Sequence, residues 1–103
     1  MSGKNTFSTE IRIRLCAQIN EILDNTKDWF YESAQAQNKI SYCLEIEGLR
    51  FLRKPINRLE RMCVKINEVL DTTSGMSDME RGLVKISDLL TQEGWRISPS
   101  AAY

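Results

Sequence analysis

The sequence of 103 residues contains no histidine, and its 14 basic and 14 acidic side chains leave no net charge. Histidine is the commonest general acid or base in enzymes and the commonest metal ligand, so its absence removes the usual basis of both kinds of site. Zero net charge argues against a cationic surface over the whole protein, which would suit nucleic acid. We therefore expect a protein that is not an enzyme and that holds no metal or cofactor.

Glycine-rich phosphate loops and long apolar runs are also absent. The five glycines are scattered along the chain, and none stands in a phosphate-binding pattern. No apolar run approaches the roughly 20 residues that cross a bilayer, and residues 1–10 lack the apolar stretch of a secretory signal. These absences predict a cytoplasmic protein with no membrane partner.

The three cysteines do not follow a metal-binding or redox pattern. Cys16, Cys43 and Cys63 are an odd number, and their spacings differ from the CxxC type. We interpret them as reduced thiols that behave as small apolar side chains in a core. The alternative hypothesis is a reactive or cross-linking thiol, and a reactive thiol would serve an enzyme.

Apolar residues recur at helical spacing along most of the chain, and no segment of useful length alternates with period two. This pattern predicts the all-α class, as a small antiparallel helical bundle of three to four helices. Two places leave the number of helices open. The polar segment 33–39 predicts a corner or bend near 35–39, around Asn38, or an exposed helical turn. Pro55 follows a helical stretch over 40–53, and it either starts a new helix or kinks one long helix.

The pattern also predicts how the chain divides. Beyond Pro55 the apolar seam continues to Thr73, and a last helix ends before Gly94. We predict a single helical-bundle domain over residues 1–94. Residues 95–103 are predicted to form a short flexible tail unless Trp95 and Ile97 dock on the bundle.

One segment of the chain is repeated. Residues 14–26 and 61–73 share eight of thirteen residues, including polar residues outside the apolar seam, and a fainter third copy covers 81–90. The shared polar residues favour internal duplication of a helix over convergence between two amphipathic helices. Equivalent helices of this kind can pack around a pseudo-two-fold axis or pair in a homodimer.

The balanced charge is distributed unevenly. Residues 1–49 sum to −2, residues 50–65 to +5 and residues 66–103 to −3. If a helix continues through Pro55, five basic residues form one stripe away from the apolar seam: Arg50, Lys54, Arg58, Arg61 and Lys65. Such a stripe binds an acidic protein surface or a phosphate backbone, unless it is only solvated or is neutralised within the bundle.

Three consecutive aromatic residues, Trp29, Phe30 and Tyr31, point over most of the circumference of a helix. At least one of them should therefore be partly exposed in a monomer. They form either a hydrophobic plug at a helix end, packed against Trp95 or Tyr42, or an anchor for a partner. In a binding site, we expect Trp29 and Tyr31 to be the anchoring residues.

Together these features predict a protein–protein interaction module: an adaptor, a small regulatory subunit, an inhibitor or a chaperone. We expect a homodimer, because a small bundle gains core by pairing, and a protein partner with an acidic surface. The alternative is a small nucleic-acid-binding regulator that uses the basic helix face at 50–65.

Overall fold

The structure is a computed structural model, and it describes residues 3–73 and 75–96, with side chains from Thr9 onward except at 76 and 77. The described residues contain helices and no strand, so the predicted all-α bundle is confirmed. The four helices are α1 (Gly3–Asn25), α2 (Trp29–Ile46), α3 (Arg58–Thr72) and α4 (Met76–Gln92).

The first break between helices lies at residues 26–28, earlier than the sequence pattern predicts. Asp28 is the N-cap of α2, and its carboxylate accepts hydrogen bonds from the backbone N–H groups of Phe30 (3.1 Å) and Tyr31 (3.4 Å). These bonds satisfy donors that the first helical turn leaves free. The cap therefore ends the chain reversal and starts α2 at Trp29.

The predicted corner near 35–39 is wrong, because the whole polar segment 33–39 lies inside α2. Ser33, Ala36 and Gln37 are buried, and α2 packs against both α1 and α4. The side chain of Gln37 donates a 2.8 Å hydrogen bond to the backbone carbonyl of Met79 in α4. A polar segment can occupy this core because its side chains are small or find a hydrogen-bond partner.

The predicted helix over 40–53 ends at Ile46, and Pro55 neither starts nor kinks a helix. Residues 47–57 form a connection, and α3 begins only at Arg58. Asn57 accepts a 2.9 Å hydrogen bond from the backbone N–H of Glu60, while the Glu60 carboxylate accepts one from the N–H of Ile56 at 2.8 Å. This reciprocal cap fixes the start of α3 at Arg58, three residues beyond Pro55.

The core lies between two helical hairpins. The N-terminal hairpin consists of α1 and α2 with the following residues 47–50, and the C-terminal hairpin of α3 and α4 with residues 93–96. Helices α2 and α4 pack against each other at the centre, while α1 flanks α2 and α3 flanks α4. The side chains buried between them include Leu15, Ile19, Leu23, Ile40, Leu44, Met62, Cys63, Ile66, Leu83, Ile86, Leu90 and Trp95.

The two hairpins repeat one structure. The repeat of 14–26 at 61–73 places matching residues on α1 and α3, and the structure adds a second match, between 39–50 and 85–96. This second pair shares seven of twelve residues. The segment 81–90, aligned above as a third copy of the first helix, lies on α4, and its counterpart in the fold is α2.

The same turn ends both hairpins. Gly48 and Gly94 have positive φ angles of 75° and 78°. The next residue donates its backbone N–H to a carbonyl five residues earlier, Leu49 to Leu44 and Trp95 to Leu90, each at 2.8 Å. This is the glycine-terminated helix end that satisfies the last free carbonyls of a helix.

After this turn, Arg50 of the N-terminal hairpin binds the first helix of the C-terminal hairpin. Its guanidinium donates to the side-chain oxygen of Asn67 at 3.2 Å and forms an ion pair with Asp71. The amide of Asn67 donates back to the carbonyl of Leu49 at 2.9 Å. We call this set of contacts the first arginine clamp.

Arg96 makes the second arginine clamp in the opposite direction. Its guanidinium donates to Asn20 at 3.3 Å and to Asp24 at 2.8 Å, both on α1. The amide of Asn20 donates to the carbonyl of Trp95 at 2.7 Å. Each hairpin therefore supplies one arginine to the other hairpin and one Asn–Asp pair for the other's arginine.

The start of the predicted C-terminal tail is packed on the bundle. Trp95 is buried in the core, and Arg96 binds α1 through the second clamp. Trp95 is one of the two residues whose docking is expected to join this segment to the bundle, and the other, Ile97, is not among the described residues. Residues 97–103 lie outside the described residues.

Candidate functional site

The predicted basic stripe depends on a helix that continues through Pro55, but residues 47–57 form a connection between α2 and α3 and are not helical. Arg50 belongs to the first arginine clamp, and its side chain is largely covered. Lys54 lies in the connection, so neither residue shares a helix with the other three. The prediction of one continuous five-residue stripe is therefore wrong.

The remaining members of the stripe lie on α3. Arg58 donates to the carboxylate of Glu93 at 2.7 Å, so part of its charge is compensated within the C-terminal hairpin. Arg61 and Lys65 are exposed. Four exposed cations of this region form no ion pair within the part of the chain that the structure describes; they are Arg53, Lys54, Arg61 and Lys65.

The aromatic triplet is divided between core and surface. Trp29 is half-buried and packs against the core, whereas Tyr31 is 71% exposed. Phe30 lies between these extremes, and its ring meets the ring of Tyr31 edge-to-face with centroids 5.0 Å apart. Of the two predicted anchors, only Tyr31 presents most of its side chain to solvent.

Three exposed apolar side chains stand on the outer side of α2, where the exposed polar residues Gln35 and Asn38 separate Tyr31 from the other two. Tyr31, Tyr42 and Ile46 are 71%, 64% and 62% exposed, and we call these three residues the α2 outer face. Tyr42 stands two residues from both Ile40 and Leu44, which are fully buried. Two residues correspond to about 200° of rotation on a helix, so Tyr42 points away from the core.

The C-terminal hairpin provides an internal reference for this face, because α4 occupies the position in its hairpin that α2 occupies in the other. The counterparts of Tyr42 and Ile46 on α4 are Asp88 and Gln92, and both are exposed. The counterpart of Tyr31 in the sequence is residue 77, a serine. The fold therefore accepts polar residues at these positions, and packing within the chain does not explain the apolar residues on α2.

A pair of small cavities also follows from the repeat. A cavity of about 180 Å³ lies between α1 and α2, and one of about 290 Å³ lies at the equivalent place between α3 and α4. Glu32 and Gln35 line the first cavity, where Asp78 and Arg81 line the second. Because the charges differ, the two cavities do not define one duplicated ligand site.

The three thiols are free and lie in apolar or half-buried surroundings. Burial raises the pKa of Cys63 to about 12 and also raises the pKa values of Cys16 and Cys43. The thiol of Cys16 donates to the carbonyl of Trp95 at 2.8 Å, beside the second arginine clamp. A raised pKa keeps a thiol protonated and poorly nucleophilic.

The described residues contain neither a metal-binding cluster nor a membrane-spanning helix. No group of three or more Cys, Asp and Glu side chains there is placed to hold a metal ion. In the same part of the chain, no helix combines the length and the apolar character needed to cross a bilayer.

Comparison of this chain with protein-family models, with curated protein sequences and with solved structures gave no match in any of the three.

The repeat of 39–50 at 85–96 was missed in the sequence. Its signal is the pair of segments Glu-Gly-Leu-Arg and Glu-Gly-Trp-Arg, at 47–50 and 93–96. The apolar pattern did not reveal it because the shared residues are mainly the polar and glycine residues of the helix end. The outer face of α2 was also missed, except for Tyr31, because it is defined only by contrast with α4.

Proposed function

We propose that this protein is a non-enzymatic protein–protein interaction module that binds its partner through the α2 outer face. The observation that carries the proposal is the contrast between Tyr42 and Ile46 on α2 and their polar counterparts on α4. Exposed large apolar side chains that the fold does not require are typical of a binding surface. The role is that of an adaptor, a small regulatory subunit, an inhibitor or a chaperone.

Tyrosine suits the centre of such a surface. Its ring provides a large apolar contact, and its hydroxyl can form a hydrogen bond at the edge of the interface. Tyrosine is among the residues that contribute most to binding free energy in protein interfaces. We therefore assign the anchoring role to Tyr31 and Tyr42, with Ile46 completing the apolar contact.

The exposed cations Arg53, Lys54, Arg61 and Lys65 favour a partner with an acidic surface. Charges at the edge of an interface mainly raise the association rate and exclude unsuitable partners. A cytoplasmic location accompanies this proposal, because three free thiols fit a reducing compartment.

A nucleic-acid-binding regulator is the second candidate, and the same four cations favour it. It ranks lower because Arg50 and Arg58 are engaged in ion pairs within the fold. Binding through phosphate contacts should fall steeply between about 50 and 200 mM salt. Absence of binding to both DNA and RNA at low salt would exclude this candidate.

The test of the main proposal transfers the α4 residues to α2. The variant Tyr31→Ser, Tyr42→Asp, Ile46→Gln carries on α2 the residues that stand at the equivalent positions of α4. Captures from the native source with wild-type and variant protein are compared by quantitative mass spectrometry. We expect the variant to lose about tenfold or more of the specific partner, since central anchors contribute about 2 kcal/mol or more.

The matched control changes the α4 counterparts with Asp88→Asn and Gln92→Ala, and we expect it to keep the partner. In urea unfolding, the free energy of unfolding of both variants should lie within about 0.5 kcal/mol of the wild-type value, because the substituted residues are exposed. If the α2 variant retains every partner of the wild type, the α2 outer face is not the binding surface.

A further inference from the structure

Each hairpin binds the other through one arginine clamp, and the same contacts can form between hairpins of two different chains. Arg50 of the N-terminal hairpin binds α3, and Arg96 of the C-terminal hairpin binds α1. We propose that two copies of this protein exchange hairpins, so that the N-terminal hairpin of one chain pairs with the C-terminal hairpin of the other. The dimer contains the α2–α4 packing and both arginine clamps twice.

The contacts between hairpins do not depend on both hairpins belonging to one chain. Only the hinge segment (residues 51–56), between Arg50 and the N-cap Asn57, joins the two halves. When identical elements are exchanged between copies, the native contacts are kept, so the dimer forms at low energetic cost. The balance between monomer and dimer then depends on the hinge segment.

The hinge segment has no helical structure and is mostly exposed. Phe51 and Ile56 are 78% and 82% exposed, the two highest values among the exposed large apolar side chains. Leu52 between them is half-buried. Six extended residues reach roughly 20 Å, which is sufficient to lead from one two-hairpin unit to a neighbouring one.

In the monomer the guanidinium of Arg50 lies 5.4 Å from the ring centre of Phe51, yet Phe51 and Ile56 keep most of their surface exposed, and a second copy would bury that surface. In an exchanged dimer, both hinge segments run between the same two units, in opposite directions and next to each other. Phe51 and Ile56 of one chain then lie beside those of the other, and burying them supplies the apolar contact that favours the dimer. This contact is the new interface of the dimer, since the others repeat those of the monomer.

The charge of the hinge segment predicts how salt acts on the dimer. Arg53 and Lys54 are exposed in each hinge segment, and exchange brings four such cations together. Their repulsion is screened as salt rises. The dimer fraction of the wild type should therefore increase between low salt and about 0.5 M salt, in sedimentation at high protein concentration.

The decisive experiment uses two variants that complement each other only after exchange. Arg50→Glu places a carboxylate against Asp71, and Asp71→Arg places a second guanidinium against Arg50, so each variant alone has a repulsive first clamp. In a dimer of one chain of each kind, the introduced glutamate of the first chain faces the introduced arginine of the second. The other first clamp of this dimer is native.

We expect the mixture, after joint unfolding and refolding, to contain a heterodimer with twice the mass of one chain, detected by native mass spectrometry. Each variant refolded alone should give at most about a tenth of that dimer. The single chain that carries both changes restores the clamp internally and should behave as the wild type.

The matched control mixes Arg50→Glu with Asp24→Arg, which alters the second clamp instead. Exchange between these chains leaves one repulsive clamp in each unit, so this mixture should give no more heterodimer than either variant alone. A heterodimer in the first mixture and not in the control supports the proposal. If the first mixture stays monomeric or unfolded, or if both mixtures dimerise equally, hairpin exchange is excluded. The outcome is independent of the α2 outer face, which no variant here changes.

Discussion

Arg50 and Arg96, which are 46 residues apart in the chain, bind equivalent Asn–Asp pairs, each on the first helix of the other hairpin. Arg50 reaches across to α3 and Arg96 reaches across to α1. Each arginine follows the same glycine turn, at Gly48 or Gly94. The chain is therefore organised as two copies of one hairpin that hold each other through exchanged arginines, as the subunits of a two-fold dimer do.

The asparagines of the two clamps should contribute similarly to stability. Replacing Asn67 with alanine removes the donor to the carbonyl of Leu49 and an acceptor of Arg50, and Asn20→Ala does the same for Trp95 and Arg96. Loss of the asparagine donor to a covered carbonyl costs about 1–3 kcal/mol, and Asn20→Ala should lie at the lower end of this range because the thiol of Cys16 still donates to the carbonyl of Trp95. Urea unfolding, monitored by circular dichroism, should show that the free energy of unfolding falls by an amount in this range for each variant.

The exposed Asn38 on α2 provides a control for these two variants. Asn38→Ala should change the free energy of unfolding by less than about 0.5 kcal/mol. If the free energy of unfolding falls in only one of the two clamp variants, the clamps are not equivalent.

The glycines that end the hairpins should respond alike to substitution. Gly48 and Gly94 have positive φ angles, and an added Cβ at either position would meet no atom within 4 Å. The cost of Gly48→Ala or Gly94→Ala is therefore the backbone strain of an L-residue in the left-handed region, roughly 1–2 kcal/mol. The melting temperatures of the two variants should fall by equal amounts in thermal unfolding. An unchanged melting temperature in either variant would show that its turn relaxes.

The ion pair between Arg14 and Glu47 makes stability depend on pH. The hydrogen bonds from Arg14, at 2.6 and 2.8 Å, lower the pKa of Glu47 below its ordinary value. Because the folded pKa lies below the unfolded one, this pair stabilises the fold above about pH 4.3, and the stabilisation is lost as the pH falls through the folded pKa.

Replacing Glu47 with glutamine tests this contribution. The variant should be less stable than the wild type at pH 7, and the difference should shrink as the pH approaches about 3, since protonated Glu47 is also uncharged. Urea unfolding across this pH range measures the difference. A difference that stays constant with pH would show that the pair does not carry the dependence.

The thiol of Cys63 should be protected from alkylating reagents in the folded protein. It is fully buried, and burial raises its pKa to about 12. At about pH 8 almost no thiolate is present, so iodoacetamide should label Cys63 only after unfolding. Peptide mass spectrometry of labelled native and urea-unfolded protein provides the measurement. Fast labelling of native Cys63 would instead indicate an activated thiol.

Part of the fold could be predicted from the sequence. The apolar seams gave the all-α class and located α3 and α4, because amphipathic periodicity reports directly which side of a helix is buried. The repeat at 14–26 and 61–73 also indicated equivalent helices. The segment 33–39 was misjudged because its burial depends on contact with α4, where Gln37 finds the carbonyl of Met79.

The candidate site was less predictable. Tyr31 was identified from its aromatic neighbours, but Tyr42 and Ile46 become significant only when α2 is compared with α4. The basic stripe failed because it assumed a helix through Pro55. Sequence periodicity does not reveal where a glycine turn, such as that at Gly48, ends a helix before its apolar pattern stops.

By itself, the sequence determined that this chain is helical, that it lacks histidine chemistry and that it repeats a helix. These properties depend on composition and local spacing, which the chain carries wherever it folds. The tertiary structure decided which cations are compensated, which apolar residues stay exposed and which arginine binds which hairpin. Those outcomes depend on contacts between residues far apart in the chain, such as Arg96 and Asp24, and only the packing of the two hairpins brings such residues together.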